Sequence, residues 1–159
     1  MTTWDDFAAA APDLADEARA IFERHRHKTM ATLRRDGSPR ISGTELQFKD
    51  GELWLGSMPD ARKAQDLLQD PRVAIHSNSA DPKEMETESA GDAKIAGRAV
   101  EVTDPDLLAE FGQDAPPGPF HLFRLDVNEV VVTKVGDPPD HLVIDFWTAT
   151  AGRRTVQRK

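Results

Sequence analysis

The sequence predicts a mainly β protein, a small antiparallel barrel carrying a few short helices. Three observations support that expectation. Apolar runs of strand length recur along the chain, among them Thr29–Arg34, Leu53–Leu55, Arg72–Ser77 and Asp92–Val102. Tight-turn signals fall between such runs, at Asp36-Gly37-Ser38-Pro39, Asp50-Gly51 and Gly136-Asp137-Pro138-Pro139. Most connections are too short for the helical crossovers that parallel strands require. Closing an antiparallel sheet removes its edges, which makes a barrel the natural architecture.

The elements follow in chain order. Trp4 to about His25 reads as one or two helices, with Leu14, Ala18, Ile21 and Phe22 on one stripe. Asp13, Asp16 and Glu17 sit early and Arg19, Arg24 and Arg26 late, a polarity that suits the helix dipole. Thr29–Arg34, Arg40–Lys49 and Leu53–Leu55 form a three-stranded meander; the last lacks alternation and is expected to be covered on both faces. Ala61–Gln69 is a short helix with Asp60 as its expected N-cap and Pro71 as its stop. Arg72–Ser77 is a strand, Asn78–Gly91 a mobile acidic loop, and Asp92–Val102 a further strand. Asp104 and Pro105 open a short helix to Phe111. Phe120–Val127 and Glu129–Val135 are strands parted by Asn128; His141–Trp147 is the last strand, before a basic tail. The whole is read as one domain over 1–159, with a helical segment 4–26, a barrel 28–149 and a tail 150–159.

Composition bounds the function. A net charge of −8 and a pI of about 5.1 disfavour nucleic-acid binding, which needs a basic surface. The absence of cysteine excludes disulfides, thiolate zinc sites and Cys nucleophiles. No apolar run approaches the roughly 18 residues of a membrane span, and the start Met1-Thr2-Thr3-Trp4-Asp5-Asp6 lacks the basic opening of a signal peptide. The expected compartment is the cytoplasm.

The most informative stretch is Ser57-Met58-Pro59-Asp60-Ala61-Arg62-Lys63-Ala64-Gln65-Asp66-Leu67. Two adjacent cations occupy the first turn of a helix, where the dipole favours anions by ~0.3–1 kcal/mol. A bound anion resolves the conflict, since free N–H groups, Arg62 and Lys63 then converge on a phosphate. A solvated helix end, with Asp60 offsetting the cations, accounts for the same residues.

This stretch, with the turn Gly37-Ser38-Pro39, the hairpin Asp50-Gly51, the strand Leu53-Trp54-Leu55, the entry Asp70-Pro71-Arg72-Val73-Ala74 and the strand Lys94–Ala99, resembles the pyridoxamine 5′-phosphate oxidase-like family of flavin-binding split β-barrels. The resemblance runs from about residue 20 to 155. It implies a homodimer with cofactor sites at the subunit interface. It implies a phosphate on Arg62, Lys63 and Ser57, and a ring along the second and third strands. His76 and Ser77 match positions that touch the cofactor, and Trp147, Arg153 and Arg154 resemble a C-terminus that reaches the partner's site. Ser42 and Gln47 stand where true pyridoxamine phosphate oxidases carry an Arg and a second basic residue. That departure points away from vitamin B6 chemistry and leaves the cofactor open between FMN and a 5-deazaflavin. Arg34, Arg35 and Arg40 either hold the acidic tail of a deazaflavin or are simply solvated.

The implied activity is that of an oxidoreductase acting on a small molecule. The ring carries the redox chemistry and no catalytic side chain is assigned. A non-catalytic carrier of a cofactor or of haem, with His76 as the axial ligand, is the alternative. No metal site is expected. His25 and His27 lie two residues apart, so on a helix they diverge. The carboxylates of Asp81–Asp92 lack the order of a calcium loop.

Overall fold

Two helices lead into the barrel and plug it with aromatic rings. The computed structural model describes residues 1–79 and 91–159; the loop expected over 78–91 therefore lies mostly outside the described residues. Helix α1 (Trp4–Ala10) is fixed by a reciprocal cap: the Thr3 hydroxyl accepts the Asp6 N–H, and the Asp6 carboxylate accepts the Thr3 N–H. Pro12 opens α2 (Pro12–Glu23), where it forfeits no helical hydrogen bond. The expected stripe of Leu14, Ala18, Ile21 and Phe22 is fully buried. Trp4 meets Phe48 edge-on at 4.9 Å between ring centroids, and Phe7 meets Trp147 at 4.9 Å. Helix α1 is thereby packed on two separate parts of the sheet.

The nine strands are β1 (His27–Leu33), β2 (Pro39–Glu45), β3 (Gln47–Lys49), β4 (Glu52–Ser57), β5 (Arg72–His76), β6 (Asp92–Val102), β7 (His121–Val135), β8 (Leu142–Thr148) and β9 (Gly152–Arg158). Every pairing is antiparallel, in the order β2-β1-β5-β6-β7-β4-β3, with β8 and β9 branching from β7. The two ends of that path are neighbours in the chain. The strand expected over Arg40–Lys49 is broken at Leu46, so β2 pairs with β1 while β3 turns to pair with β4. This corner closes the barrel. The β3–β4 hairpin turns on Asp50 (φ 52°) and Gly51 (φ 75°), the left-handed pair a two-residue hairpin needs. Any Cβ on Gly51 would also strike the Asp5 carboxylate, 2.2 Å away.

Strand β7 is where the sheet splits. One edge pairs with β6 along 122–133; the other pairs with β4 at 121–124 and with β8 at 129–135. Asn128, expected to divide two strands, is a bulge within one. The register steps from Ala96↔Glu129 to Gly97↔Val127 and leaves Asn128 unpaired with β6. Gly97 permits the step, because a Cβ there would lie 1.9 Å from the Asp126 carbonyl oxygen. The tail expected over 150–159 is largely strand β9, a hairpin partner of β8. A fourth helix completes the set. Two helices, α3 (Arg62–Gln69) and α4 (Pro105–Gly112), follow the N-terminal pair. Asp104 caps α4 by accepting the N–H groups of Asp106 and Leu107. The two-sided burial of Leu53, Trp54 and Leu55 holds, but its cause lies within the chain. Phe111 of α4 covers Trp54, with 4.8 Å between ring centroids.

Candidate functional site

Strand β4 delivers the chain at Ser57 to α3, which packs on β1 and β6 through Ala64 and Leu67. The residue at the N-cap is Ala61, not Asp60, and no side chain caps the first turn. The first turn holds no acid, and it presents Arg62 and Lys63 beside open amide groups. Arg62 is exposed. The Lys63 ammonium donates to the Gly43 carbonyl of β2 at 2.7 Å. Burial holds that ammonium below its usual range, against the opposing pull of Glu45. The helix start is thus tied directly to β2.

A buried carboxylate secures the rest of α3. Asp66 accepts the Thr32 hydroxyl at 2.7 Å and the Arg40 Nε–H at 2.7 Å. Burial alone raises a carboxyl pKa, but here the bonds from Arg40 and Thr32, with the field of Arg34, outweigh it and hold Asp66 below the usual carboxylate range. Arg40 is therefore not freely solvated: it is bonded to Asp66 and only 24% exposed. Asp66 drew no functional reading from the sequence. The available signal is Thr32, which shares the inward alternation of Met30 and marks a polar side chain in the core needing a partner.

Register places the outward faces. Directly paired residues point to the same side of a sheet. Gly43, Thr29, His76 and Lys94 form one outward row across β2, β1, β5 and β6. Ile41, Ala31, Ala74 and Ala96 form the next. The result is a low floor of small side chains, rimmed by Ile41 at 75% exposure and bordered by Lys63 at Gly43. Gln47 is exposed at the start of β3, just past the corner. The Ser57 hydroxyl donates to the Met58 carbonyl at 3.3 Å.

His76 lies in this outward row and Lys63 borders it at Gly43; the other expected contact residues have the following surroundings. The Ser77 hydroxyl is buried and accepts the Ala93 N–H at 3.0 Å. Trp147 is buried in this chain's own core against Phe7. Arg153 makes two bonds to Asp145, at 3.0 and 2.6 Å. Arg154 is exposed on β9 with no carboxylate partner among the described residues. His76 is half-buried, with Nδ1 against the Ser77 carbonyl. Among the described residues there is no cluster of three metal-binding side chains, and no helix is long and apolar enough to cross a membrane.

An antiparallel barrel split at one long strand, with a cationic helix start set against its second strand, defines a class of protein. The chain belongs to the pyridoxamine 5′-phosphate oxidase family, whose sequence pattern it matches over residues 14–134. Solved structures share the fold. PhzG from Burkholderia lata, in complex with tetrahydrophenazine-1-carboxylic acid, is 14% identical with a TM-score of 0.63, covering 98% of this chain and 93% of that one. A haem-binding protein from Mycobacterium smegmatis is 18% identical with a TM-score of 0.59, covering 91% and 87%. An F420 reductase is 18% identical with a TM-score of 0.52, covering 70% and 94%. No curated protein sequence matches the chain.

Proposed function

We propose that the chain binds a flavin-type cofactor, FMN or a deazaflavin, between two copies of itself and acts as an oxidoreductase on a small molecule. The observation that carries this reading is the start of α3: two cations and uncapped amides, with no acid in the first turn, tied by Lys63 to Gly43. That donor set fits a phosphate, whose charge answers both the guanidinium and the helix dipole. Arg62, Lys63 and Ser57 would hold the phosphate. The small-residue floor beside Gly43 suits a flat ring, and the Gln47 amide supplies a neutral donor and acceptor near its edge. When bound, such a group supplies the redox chemistry. The chain's residues bind it, orient it and exclude water. Exposed Ile41 and Met58 (64%) give a second copy apolar surface to cover.

Titration of the purified protein with FMN and with deazaflavin F420, followed by flavin fluorescence, tests the reading. Arg62→Ala with Lys63→Ala removes two charge-assisted contacts, each worth ~1.5–3 kcal/mol, and should weaken binding by about 100-fold or more. The far-ultraviolet circular dichroism should not change. Equal affinity in the double variant, or a haem spectrum with no flavin binding, overturns the assignment.

A further inference from the structure

Beside the helix start lies an open hollow of about 920 Å³, lined by Arg34, Arg35, Arg40 and Arg62 with Asp36, Gln65, Asp66, Leu68 and Gln69. Four guanidinium groups around one hollow are out of character for a chain of net charge −8. Several arginines elsewhere take acidic partners: Arg19 with Glu23, Arg26 with Glu45, Arg72 with Asp70, Arg153 with Asp145.

In the hollow the acids are already engaged. Asp66 is held by Arg40 and Thr32. Asp36 accepts the Ser38 N–H at 3.0 Å and the Ser38 hydroxyl at 2.6 Å. Arg34, Arg35 and Arg62 make no ion pair with any carboxylate among the described residues. The hairpin that carries Arg34 and Arg35 is rigid: the Arg34 N–H donates to Ser38 O, and the Gly37 N–H to Arg34 O, both at 2.9 Å. The backbone that carries the two arginines is therefore fixed, while their exposed side chains remain free to turn toward a ligand.

We infer that this hollow binds a small polyanion, a group with two or more negative charges on phosphate-type or carboxylate-type oxygens. Guanidinium forks match both kinds of oxygen. The net charge of the chain repels an extended polyanion such as a nucleic acid, which limits the ligand to one that fits within the hollow. Gln65 and Gln69 offer further amide donors, and Leu68, 47% exposed, offers an apolar edge. The hollow shares Arg62 with the proposed phosphate site, but Arg34 and Arg35 are not among that site's residues, so their variants test the hollow separately.

The experiment is calorimetric titration at low salt with inorganic tripolyphosphate and, separately, with citrate. One site per chain is expected for at least one of them, and the tighter ligand tells phosphate from carboxylate. Arg34→Gln with Arg35→Gln should weaken that binding about tenfold or more. FMN affinity in the same variant should stay within about twofold, because its contacts are untouched. If the double variant folds poorly, Arg35→Gln alone should still lose about threefold. Neither anion binding, binding unchanged in the variants, or FMN affinity falling in step with the anion would each overturn the inference.

Discussion

Removing the Asp66 carboxylate separates a structural account of α3 from a merely decorative one. Asp66 is 8% exposed at its side chain and Arg40 24%. Deleting one partner of a buried pair costs ~3–5 kcal/mol, mostly because the other charge is left without compensation. Arg40 retains some access to water, which lowers the expected cost of Asp66→Ala to ~2–3 kcal/mol. For a chain of this size that is a fall of about 4–12 °C in melting temperature. The pH dependence has a definite sign. The folded pKa of Asp66 lies below its ordinary value, so its contribution is complete above that value and is lost as pH falls through the folded pKa. Urea denaturation of the wild type and Asp66→Asn across this acidic window should show the difference shrinking on acidification. A double-mutant cycle with Arg40→Ala should give a coupling of about 1 kcal/mol or more. A melting temperature of Asp66→Ala within about 1 °C of the wild type, or a cycle with no coupling, would refute the reasoning.

Two further predictions rest on equally local features. Gly97→Ala places a methyl group against the Asp126 carbonyl at the β6–β7 bulge, so it should destabilise by ~3 kcal/mol or more in chemical denaturation, well beyond the usual cost of Gly→Ala at an unstrained site. Asp70, held by the Arg72 guanidinium and backbone N–H, has its pKa lowered to about 2; carboxyl-detected NMR titration should find it there, and Arg72→Ala should return it toward the ordinary carboxylate range.

Where periodicity and turn chemistry act within a few residues, the sequence was a sufficient guide. The helical stripe from Leu14 to Phe22, the Asp50-Gly51 hairpin and the strand Asp92–Val102 appear as read. Legibility failed where distant chain decides the outcome. The in–out alternation runs through Glu45, Leu46, Gln47 and Phe48 without interruption, so nothing local marks the corner at Leu46; closure of the sheet does. Asn128 looks like a strand break until Gly97, on the neighbouring strand, absorbs it as a bulge. The arginines after Gly152 read as a basic tail, yet cationic side chains are also what an edge strand tolerates, and β9 is such an edge.

At the site, the paired cations of α3 were visible because they break a dipole rule. The engagement of Arg40 by Asp66 was not, because the two residues are 26 apart in the chain. Trp147 matched a family position by residue type, but its place on β8 points it at Phe7.

The corner at Leu46 makes the chain unusually sensitive to its own length there. Strands β2 and β3 are each locked to a different neighbour, and a shift of one residue turns a strand's side chains over. Deleting or inserting a single residue at Leu46 would put one of these two strands inside out, either exposing Phe48 or turning the Lys63-bonded Gly43 away from α3. Among the described residues, drift in loop length between descendants of this chain is therefore better accommodated at the tips of its hairpins than at this joint.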